Sequence, residues 1–227
     1  MLLLFDIDGT LLRGAAEEHR VALEAAVREV FGAVPPPDVE VELAGCTDLQ
    51  IMRSIAALCD VDSGTIDAGL PEARLVAAQE YARLVPADLT HTVPPGIAEL
   101  LDDLSRRADH TLSLVTGNLE PIARLKLHAA GIAAFFAPGQ GGFGSDHEDR
   151  TMLPAIARAR AGDGCEAYPR ERTVVIGDTP RDIACARADG VRVIGVAGGP
   201  YPADALAEAD VVVGDALGIA GALDSLR

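Results

Sequence analysis

The second half of the chain alternates short apolar segments with amphipathic ones, and this alternation limits the possible folds more than any other feature. Strand-length apolar runs at 111–116, 173–177 and 191–196 are separated by segments with helical spacing. Strands that are joined through helices pair in parallel and form one sheet with helices on both faces. The sequence therefore predicts an α/β fold built on a parallel sheet. The other predicted elements of this half are helices at 95–107, 119–130, 151–161 and 180–188 and short strands at 133–137 and 210–213.

The N-terminus supplies a further buried strand that ends in two carboxylates. Residues Leu2 to Phe5 are apolar, and Asp6, Asp8 and Gly9 follow them. Open α/β sheets place functional groups beyond the C-terminal ends of their strands, where these acids would lie. Two acids held close together repel each other, and a bound cation would offset that repulsion. A polar turn after an edge strand explains the same residues equally well.

The segment between the first strand and residue 90 shows helical spacing but no strand pattern. Gly32 is a suitable stop for its first helix, Thr47 or Asp48 a suitable cap for the second, and Pro71 a suitable first residue for the third. The predicted helices are 15–32, 47–59 and 71–85, and the prolines at 35–37 form a predicted rigid connector.

These patterns divide the chain into two units. Residues 1–14 and 90–227 form the predicted α/β core, and residues 15–89 form a predicted all-helical domain that is inserted after the first strand.

The charge and the cysteines restrict the partners and the compartment. The formal net charge is −16, which leaves little positive charge for a nucleic-acid backbone or an anionic membrane. The four cysteines form no C-x-x-C pair, and Asp6 interrupts the N-terminal apolar run before it reaches the length of a signal sequence. We therefore expect no nucleic-acid or membrane partner, reduced thiols and a cytoplasmic protein.

A second strand end carries hydrogen-bond donors. Strand 111–116 ends in Thr116, Gly117 and Asn118, whose hydroxyl, amide and backbone N–H groups can donate to a phosphoryl oxygen. Ordinary turn and capping chemistry explains the same three residues. The glycine-rich segment 139–145 is predicted to be a mobile loop near these groups.

A third strand end carries two more acids. Asp178 follows strand 173–177, and Asp182 lies one helical turn later on the same side. The alternatives are a helix N-cap for Asp178 and, for Asp182, a first-turn acid that complements the helix dipole.

Two basic residues have different expected roles. Arg150 precedes helix 151–161, where a cation opposes the helix dipole, so a phosphate or a carboxylate pair would explain its position. A solvated arginine paired with Glu148 or Asp149 explains it equally well. Lys126, the only lysine, lies about two turns beyond the strand end, so we predict that it lies at the surface and that its removal has little effect.

Taken in order, these motifs resemble those of the haloacid dehalogenase-like hydrolases, in particular the phosphoglycolate phosphatase-like and β-phosphoglucomutase-like members. The resemblance covers essentially the whole chain and implies a Rossmann-like core with a helical cap over residues 15–89. The segment 45–48 is similar to the cap segment that faces the site in that group. The motifs that carry the resemblance are D-x-D-G-T at 6–10, T-G-N at 116–118, Arg150 and G-D-x-x-x-D at 177–182.

The resemblance implies catalytic roles for four residues. By similarity, Asp6 is the expected nucleophile that takes the phosphoryl group, and Asp8 is the expected general acid and then base, with a raised pKa. Thr116 and Arg150 would hold the phosphoryl oxygens, although the family commonly has lysine at the position of Arg150. The expected substrate-binding residues are Thr116, Gly117, Asn118 and Arg150, and further candidate contacts are Arg13, His19, Thr47 and Arg53.

The resemblance also implies Mg²⁺ as the cofactor. Its expected ligands are Asp6, Asp178 and the backbone carbonyl of Asp8, with Asp182 as a further ligand or a neighbour of the ligands. The implied function is that of a Mg²⁺-dependent phosphatase which hydrolyses a small phosphorylated metabolite through an aspartyl-phosphate intermediate. The alternatives are a β-phosphoglucomutase-like sugar phosphomutase and a non-catalytic binding member of the family.

Overall fold

A six-stranded parallel sheet forms the centre of the molecule. The computed structural model describes residues 1–34, 44–199 and 201–226. Within them the strands lie in the order β3-β2-β1-β4-β5-β6, and every neighbouring pair is parallel. The predicted α/β class is therefore confirmed. The strands are β1 (Leu2–Phe5), β2 (Thr111–Thr116), β3 (Gly142–Phe143), β4 (Thr173–Gly177), β5 (Arg192–Val196) and β6 (Val211–Val213).

The first strand occupies the middle of the sheet because every one of its residues is apolar. Its register aligns Phe5 with Leu114 of β2 and with Ile176 of β4. Successive side chains point to opposite faces, so Leu2 and Leu4 pack on one side of the sheet and Leu3 and Phe5 on the other. The C-terminal ends of β1, β2 and β4 consequently lie side by side.

Helices cover the sheet and form a separate layer above the strand ends. We refer to α1, α2 and α3 as the inserted helices. They share an apolar cluster that includes Leu23, Ile55 and Tyr81 and that continues onto Ile122 of α5. The helices are α1 (Glu17–Phe31), α2 (Asp48–Leu58), α3 (Ser63–Leu84), α4 (Ile97–Ser105), α5 (Glu120–Ala129), α6 (Leu153–Ala161), α7 (Pro180–Asp189) and α8 (Leu217–Ser225).

The third inserted helix begins earlier than the sequence predicts. It starts at Ser63 with Asp62 as its N-cap, so Pro71 lies inside the helix and not in its first turn. Proline removes the hydrogen bond to the carbonyl four residues earlier. Both Pro71 and Asp67 are exposed, which leaves that carbonyl accessible to water.

Three further elements differ from the sequence predictions. The predicted strand at 133–137 is a 3-10 turn over Ala133–Phe135, and the edge strand β3 lies instead in the glycine-rich segment 139–145. The helix α8 was not predicted, although its Ile219 and Leu223 are fully buried. The predicted connector at 35–37 lies outside the described residues.

The division into a core of residues 1–14 and 90–227 and a helical unit of residues 15–89 stays a proposal. It is supported by the separate apolar cluster of the inserted helices. Among the described residues, no helix combines the length and the apolar character that a membrane crossing requires.

Candidate active site

Three buried aspartates meet at the ends of two neighbouring strands. Asp6 directly follows β1, Asp178 directly follows β4, and Asp182 lies in the first turn of α7. One carboxylate oxygen from each lies within 4.8 Å of the other two. Residues that are far apart in the sequence therefore form one carboxylate cluster. It lies at the C-terminal ends of the strands, where the sequence predicted these acids.

Glycine allows the loop after β1 to approach this cluster. Gly9 has a φ of +94°, and a Cβ built on it would lie only 2.0 Å from Oδ2 of Asp178. Any other residue would be strained in this conformation and would collide with the carboxylate.

Arg150 is a buried counter-ion of the cluster. Its Nη2 donates to Oδ1 of Asp6 at 2.9 Å and also to Oδ1 of Asp182, and the side chain is only 6% exposed. The alternative of a solvated arginine paired with Glu148 or Asp149 is therefore wrong. A carboxylate pair explains why an arginine precedes α6, as one of the sequence interpretations proposed.

Asp182 and Asp178 differ in how their oxygens are used. The Oδ2 atom of Asp182 accepts hydrogen bonds from the backbone N–H and the hydroxyl of Thr179, which is the N-cap of α7. The N-cap alternative for Asp178 is therefore wrong. Its Oδ1 accepts from the Thr10 hydroxyl at 3.1 Å, whereas its Oδ2 is buried and has no hydrogen-bond partner within the described part of the chain.

The electrostatics of the cluster favour a bound cation. Burial raises the pKa of Asp6 well above its ordinary value, against the opposing effect of Arg150. Burial and the neighbouring Asp182 raise the pKa of Asp178 to about 7. A divalent cation would stabilise the ionised form of both groups. The carboxylate donor set and the unpartnered Oδ2 of Asp178 suit a hard cation such as Mg²⁺.

Asp8 faces away from the cluster, toward a buried lysine. Lys126 donates to both carboxylate oxygens of Asp8, at 2.7 and 2.8 Å, and Asn118 Nδ2 donates to Oδ2 at 2.8 Å. Lys126 is fully buried, so the prediction that it lies at the surface is wrong. Burial alone would raise the pKa of Asp8, but the buried Lys126 ammonium brings it below its ordinary value. The expected raised pKa is therefore not found in this arrangement.

The three residues of the T-G-N motif have different contacts: Asn118 faces the cavity, and Thr116 and Gly117 accept hydrogen bonds from backbone N–H groups. Asn118 lines the cavity above the aspartates. The Thr116 hydroxyl is buried and accepts from the backbone N–H of Asn118 at 3.3 Å. The Gly117 carbonyl accepts from the backbone N–H of Asp48, which places the start of α2 directly against this loop.

The inserted helices close a cavity of about 290 Å³ over the aspartates. Residues 44–46 and Asp48 line it, as the similarity of segment 45–48 predicts, and His19 lines it as well. The walls on this side are mostly apolar, with Ala16, Leu23 and Ile51 among them.

The other candidate substrate contacts have structural partners. The Thr47 hydroxyl caps α2 and donates to the Glu148 carbonyl at 2.7 Å. Arg53 pairs with Glu148 and with Asp67. Arg13 donates to the carbonyl of Gly9 at 3.5 Å.

The sequence of the chain also identifies its relatives. Residues 3–187 match the haloacid dehalogenase-like hydrolase family. The chain belongs to this family. The resemblance drawn from the motifs is thereby confirmed, and members of the family generally use Mg²⁺.

The relatives of this haloacid dehalogenase-like hydrolase are named for different activities. The chain is 31% identical over 205 residues to the phosphoglycolate phosphatase of Rhodospirillum rubrum, covering 84% of this chain and 77% of that protein. It is 28% identical over 235 residues to the tyrosine-protein kinase PtkA of Mycobacterium tuberculosis, covering 100% and 71%. A putative β-phosphoglucomutase from Bacteroides vulgatus has the same fold, with a TM-score of 0.67, 19% identity and coverage of 99% and 88%.

The sequence analysis did not identify Lys126 as a residue of the site, although helical spacing indicates that it is buried. In this hydrolase Ile122, Ala123 and Leu127 form the buried face of α5. Lys126 follows the first two by four and three residues, so helical spacing places it on the same face. A lysine on a buried face needs an anionic partner.

Proposed function

We propose that this protein is a Mg²⁺-dependent phosphatase that hydrolyses a small phosphorylated metabolite through an aspartyl-phosphate on Asp6. The observation that carries the proposal is the arrangement of Asp6 in a cavity beneath the inserted helices. Asp6 lies beside a buried arginine and beside Asp178, whose Oδ2 has no hydrogen-bond partner among the described residues. Phosphoryl transfer depends mainly on positioning and on neutralisation of charge, and this arrangement supplies both.

Asp6 is the proposed nucleophile. One of its carboxylate oxygens is held by Arg150, which leaves the other for attack on phosphorus. The bond from phosphorus to the leaving oxygen breaks as the bond to Asp6 forms, and water then releases phosphate from the aspartyl-phosphate. Arg150 would turn part of its donor set toward the phosphoryl oxygens, since its Nε is buried and has no hydrogen-bond partner among the described residues.

Asp8 is the proposed acid and base for the two halves of the reaction. It would protonate the leaving oxygen and later accept a proton from the attacking water. The lowered pKa of Asp8 favours the carboxylate, which is the form that the second half requires. The first half requires the acid form, and the approach of a phosphorylated dianion would raise the pKa of Asp8 toward it.

The proposed metal ligands are Asp6, Asp178 and the backbone carbonyl of Asp8. Bound Mg²⁺ would neutralise charge on the phosphoryl group. Asp182 is better explained as the residue that holds Arg150, because both of its oxygens already accept hydrogen bonds from Arg150 and Thr179.

Asn118 and the T-G-N loop are proposed to face the phosphoryl group. Asn118 lines the cavity, and its Oδ1 is buried without a partner within the described residues. Thr116 and Gly117 would contribute through the hydroxyl and the backbone of the same loop.

A panel of phosphorylated metabolites, measured with and without Mg²⁺, tests the proposal. We expect phosphate release from at least one small phosphate ester, with loss of release when Mg²⁺ is chelated. Isomerised product without phosphate release would favour a sugar phosphomutase, and transfer from ATP to tyrosine would favour a kinase. No turnover of any compound would favour a binding member of the family.

The Asp6→Asn variant tests the nucleophile. We expect kcat to fall by at least about 10³-fold, as for other enzymes that lose their nucleophile. The fold should be retained, because the neutral amide removes repulsion between Asp6 and the other aspartates. Asp103→Asn, which changes an exposed carboxylate on α4, is the control and should keep full activity. Normal turnover by Asp6→Asn would overturn the assignment.

A further inference from the structure

Lys126, the only lysine of the protein, lies at the centre of a buried hydrogen-bond network that links the inserted helices to the sheet. The Lys126 ammonium contacts both oxygens of Asp8, at 2.7 and 2.8 Å, and Nδ1 of His19 at 3.0 Å. An ammonium has three donors, and these contacts use all of them. The side chain has no exposed surface, so its charge depends entirely on these partners.

The contact with His19 extends this hydrogen-bond network to the first residue of α2. Nε2 of His19 lies 3.0 Å from Oδ2 of Asp48, and the same oxygen accepts from the backbone N–H of Leu119 at 2.7 Å. The lysine donates to Nδ1, which leaves Nε2 to donate to Asp48. Asp48 thus contacts both α1 and the loop before α5, and it orients the ring that meets Lys126.

We infer that Lys126 is a positioning residue that holds the Asp8 carboxylate in place, and that His19 and Asp48 hold Lys126 only while the inserted helices are docked on the sheet. The inference rests on the proposed function, because it assigns a task to the neighbours of the proposed acid and base. Asp8 is one third exposed on the cavity side, so without Lys126 its side chain could rotate toward solvent.

The geometry explains why two donors are needed. Asn118 bonds only Oδ2 of Asp8, and a single hydrogen bond leaves a carboxylate free to swing about it. The two contacts from Lys126 fix both oxygens. A misplacement of about 1 Å in a catalytic group can reduce a rate by about 100-fold.

The test compares two aryl esters of similar shape, p-nitrophenyl phosphate and phenyl phosphate. The nitrophenolate leaves with little help from an acid, whereas the more basic phenolate needs protonation. We expect Lys126→Met to lower kcat/KM, which reports the half of the reaction in which the leaving group departs, by about tenfold or more for phenyl phosphate and by less than about threefold for p-nitrophenyl phosphate. Lys126→Arg should recover part of the loss, since it restores the charge and two donors.

A matched control separates positioning of Asp8 from docking of the inserted helices. Arg53 also joins an inserted helix to the sheet side, through Glu148, but does not contact Asp8. Arg53→Met should therefore change both substrates by the same factor. An equal effect of Lys126→Met on both substrates, or no effect, would overturn the inference.

A second variant guards against misfolding of the first. His19→Phe keeps a ring beside Tyr81, whose centroid lies 5.7 Å away, but removes both nitrogen contacts. It should show the same substrate dependence as Lys126→Met to a smaller degree, and a uniform effect would count against the inference.

If the wild-type protein hydrolyses neither ester nor any panel compound, the proposed function fails. If it hydrolyses both esters but the variants act uniformly, only the positioning role fails.

Discussion

At the scale of single residues, the proposed role of Asp178 as a metal ligand couples proton binding to metal binding. Its pKa is raised to about 7 by burial and by Asp182, whereas an unfolded chain has the ordinary value of about 4. Without a cation, the folded protein therefore binds this proton more tightly than the unfolded one. The resulting cost of ionisation is absent below about pH 4 and is complete above about pH 7. Bound Mg²⁺ would favour the ionised form and would remove the cost.

We therefore predict that Mg²⁺ stabilises the protein more at about pH 8 than at about pH 5. Mg²⁺ at about 100 times its Kd would contribute about 2.7 kcal/mol, which corresponds to a rise in Tm of about 5–10 °C for a chain of this size. Thermal unfolding at the two pH values measures the difference. Asp178→Asn should lose the Mg²⁺ response, and a response that is independent of pH would contradict the assignment of Asp178 as a ligand.

The same scale shows what the sequence could reveal about the site. Asp6 and Asp178 could be predicted because each directly follows an apolar strand. The identity of the residues that Arg150 and Lys126 contact could not be predicted, because a long side chain reaches groups that only the packing of separate elements brings near. Lys126 lies two turns along α5, and its contact with Asp8 spans 118 residues of the chain.

At the scale of elements, the approach of α2 to the T-G-N loop depends on Gly117. A Cβ at this position would lie 2.0 Å from the carbonyl oxygen of Cys46 and 3.0 Å from the Cα of Thr47. The start of α2 would have to move away, which would disturb the bond between Asp48 and Leu119. Gly117 therefore has a steric role between the inserted helices and the sheet, besides its proposed place beside the phosphoryl group.

We predict that Gly117→Ala lowers the free energy of unfolding by about 1–3 kcal/mol, the usual effect of overpacking, and reduces kcat/KM. Denaturant unfolding and steady-state kinetics measure the two effects. The control is Gly221→Ala on α8, where an added Cβ meets no atom of the described residues within 4 Å. Alanine should stabilise this helix by about 0.5–1 kcal/mol. If Gly117→Ala behaves like the control, the close approach of α2 is unimportant.

The element predictions were accurate where one pattern dominated. Strands 111–116 and 173–177 were located to the residue, because their apolar runs are bounded by polar motifs. The edge strand β3 was missed because it consists of Gly142 and Phe143 in a segment that reads as a loop, and its pairing depends on β2. The sequence places the start of α3 too late because proline favours the first turn of a helix, whereas an exposed helix face tolerates it in the interior here.

At the scale of the whole molecule, the charge opposes the proposed substrate. The formal net charge is −16, and a phosphorylated metabolite is an anion. The acidic surface repels it over distances comparable to the Debye length, whereas Arg150 and a bound cation attract it only at short range. The capture of substrate, which kcat/KM reports, and the turnover of bound substrate, which kcat reports, should therefore respond differently to salt.

We predict that kcat/KM for a phosphorylated substrate rises by about twofold to tenfold when NaCl is increased from about 0.01 M to about 0.15 M, since the Debye length falls from about 30 Å to about 8 Å. The value of kcat should remain nearly constant, because the buried contacts of Asp6 and Arg150 are screened little by salt. Steady-state kinetics at saturating, fixed Mg²⁺ measures both constants. A fall in kcat/KM with salt would mean that the positive groups of the site attract the substrate from a distance, and that the surface charge does not govern its approach.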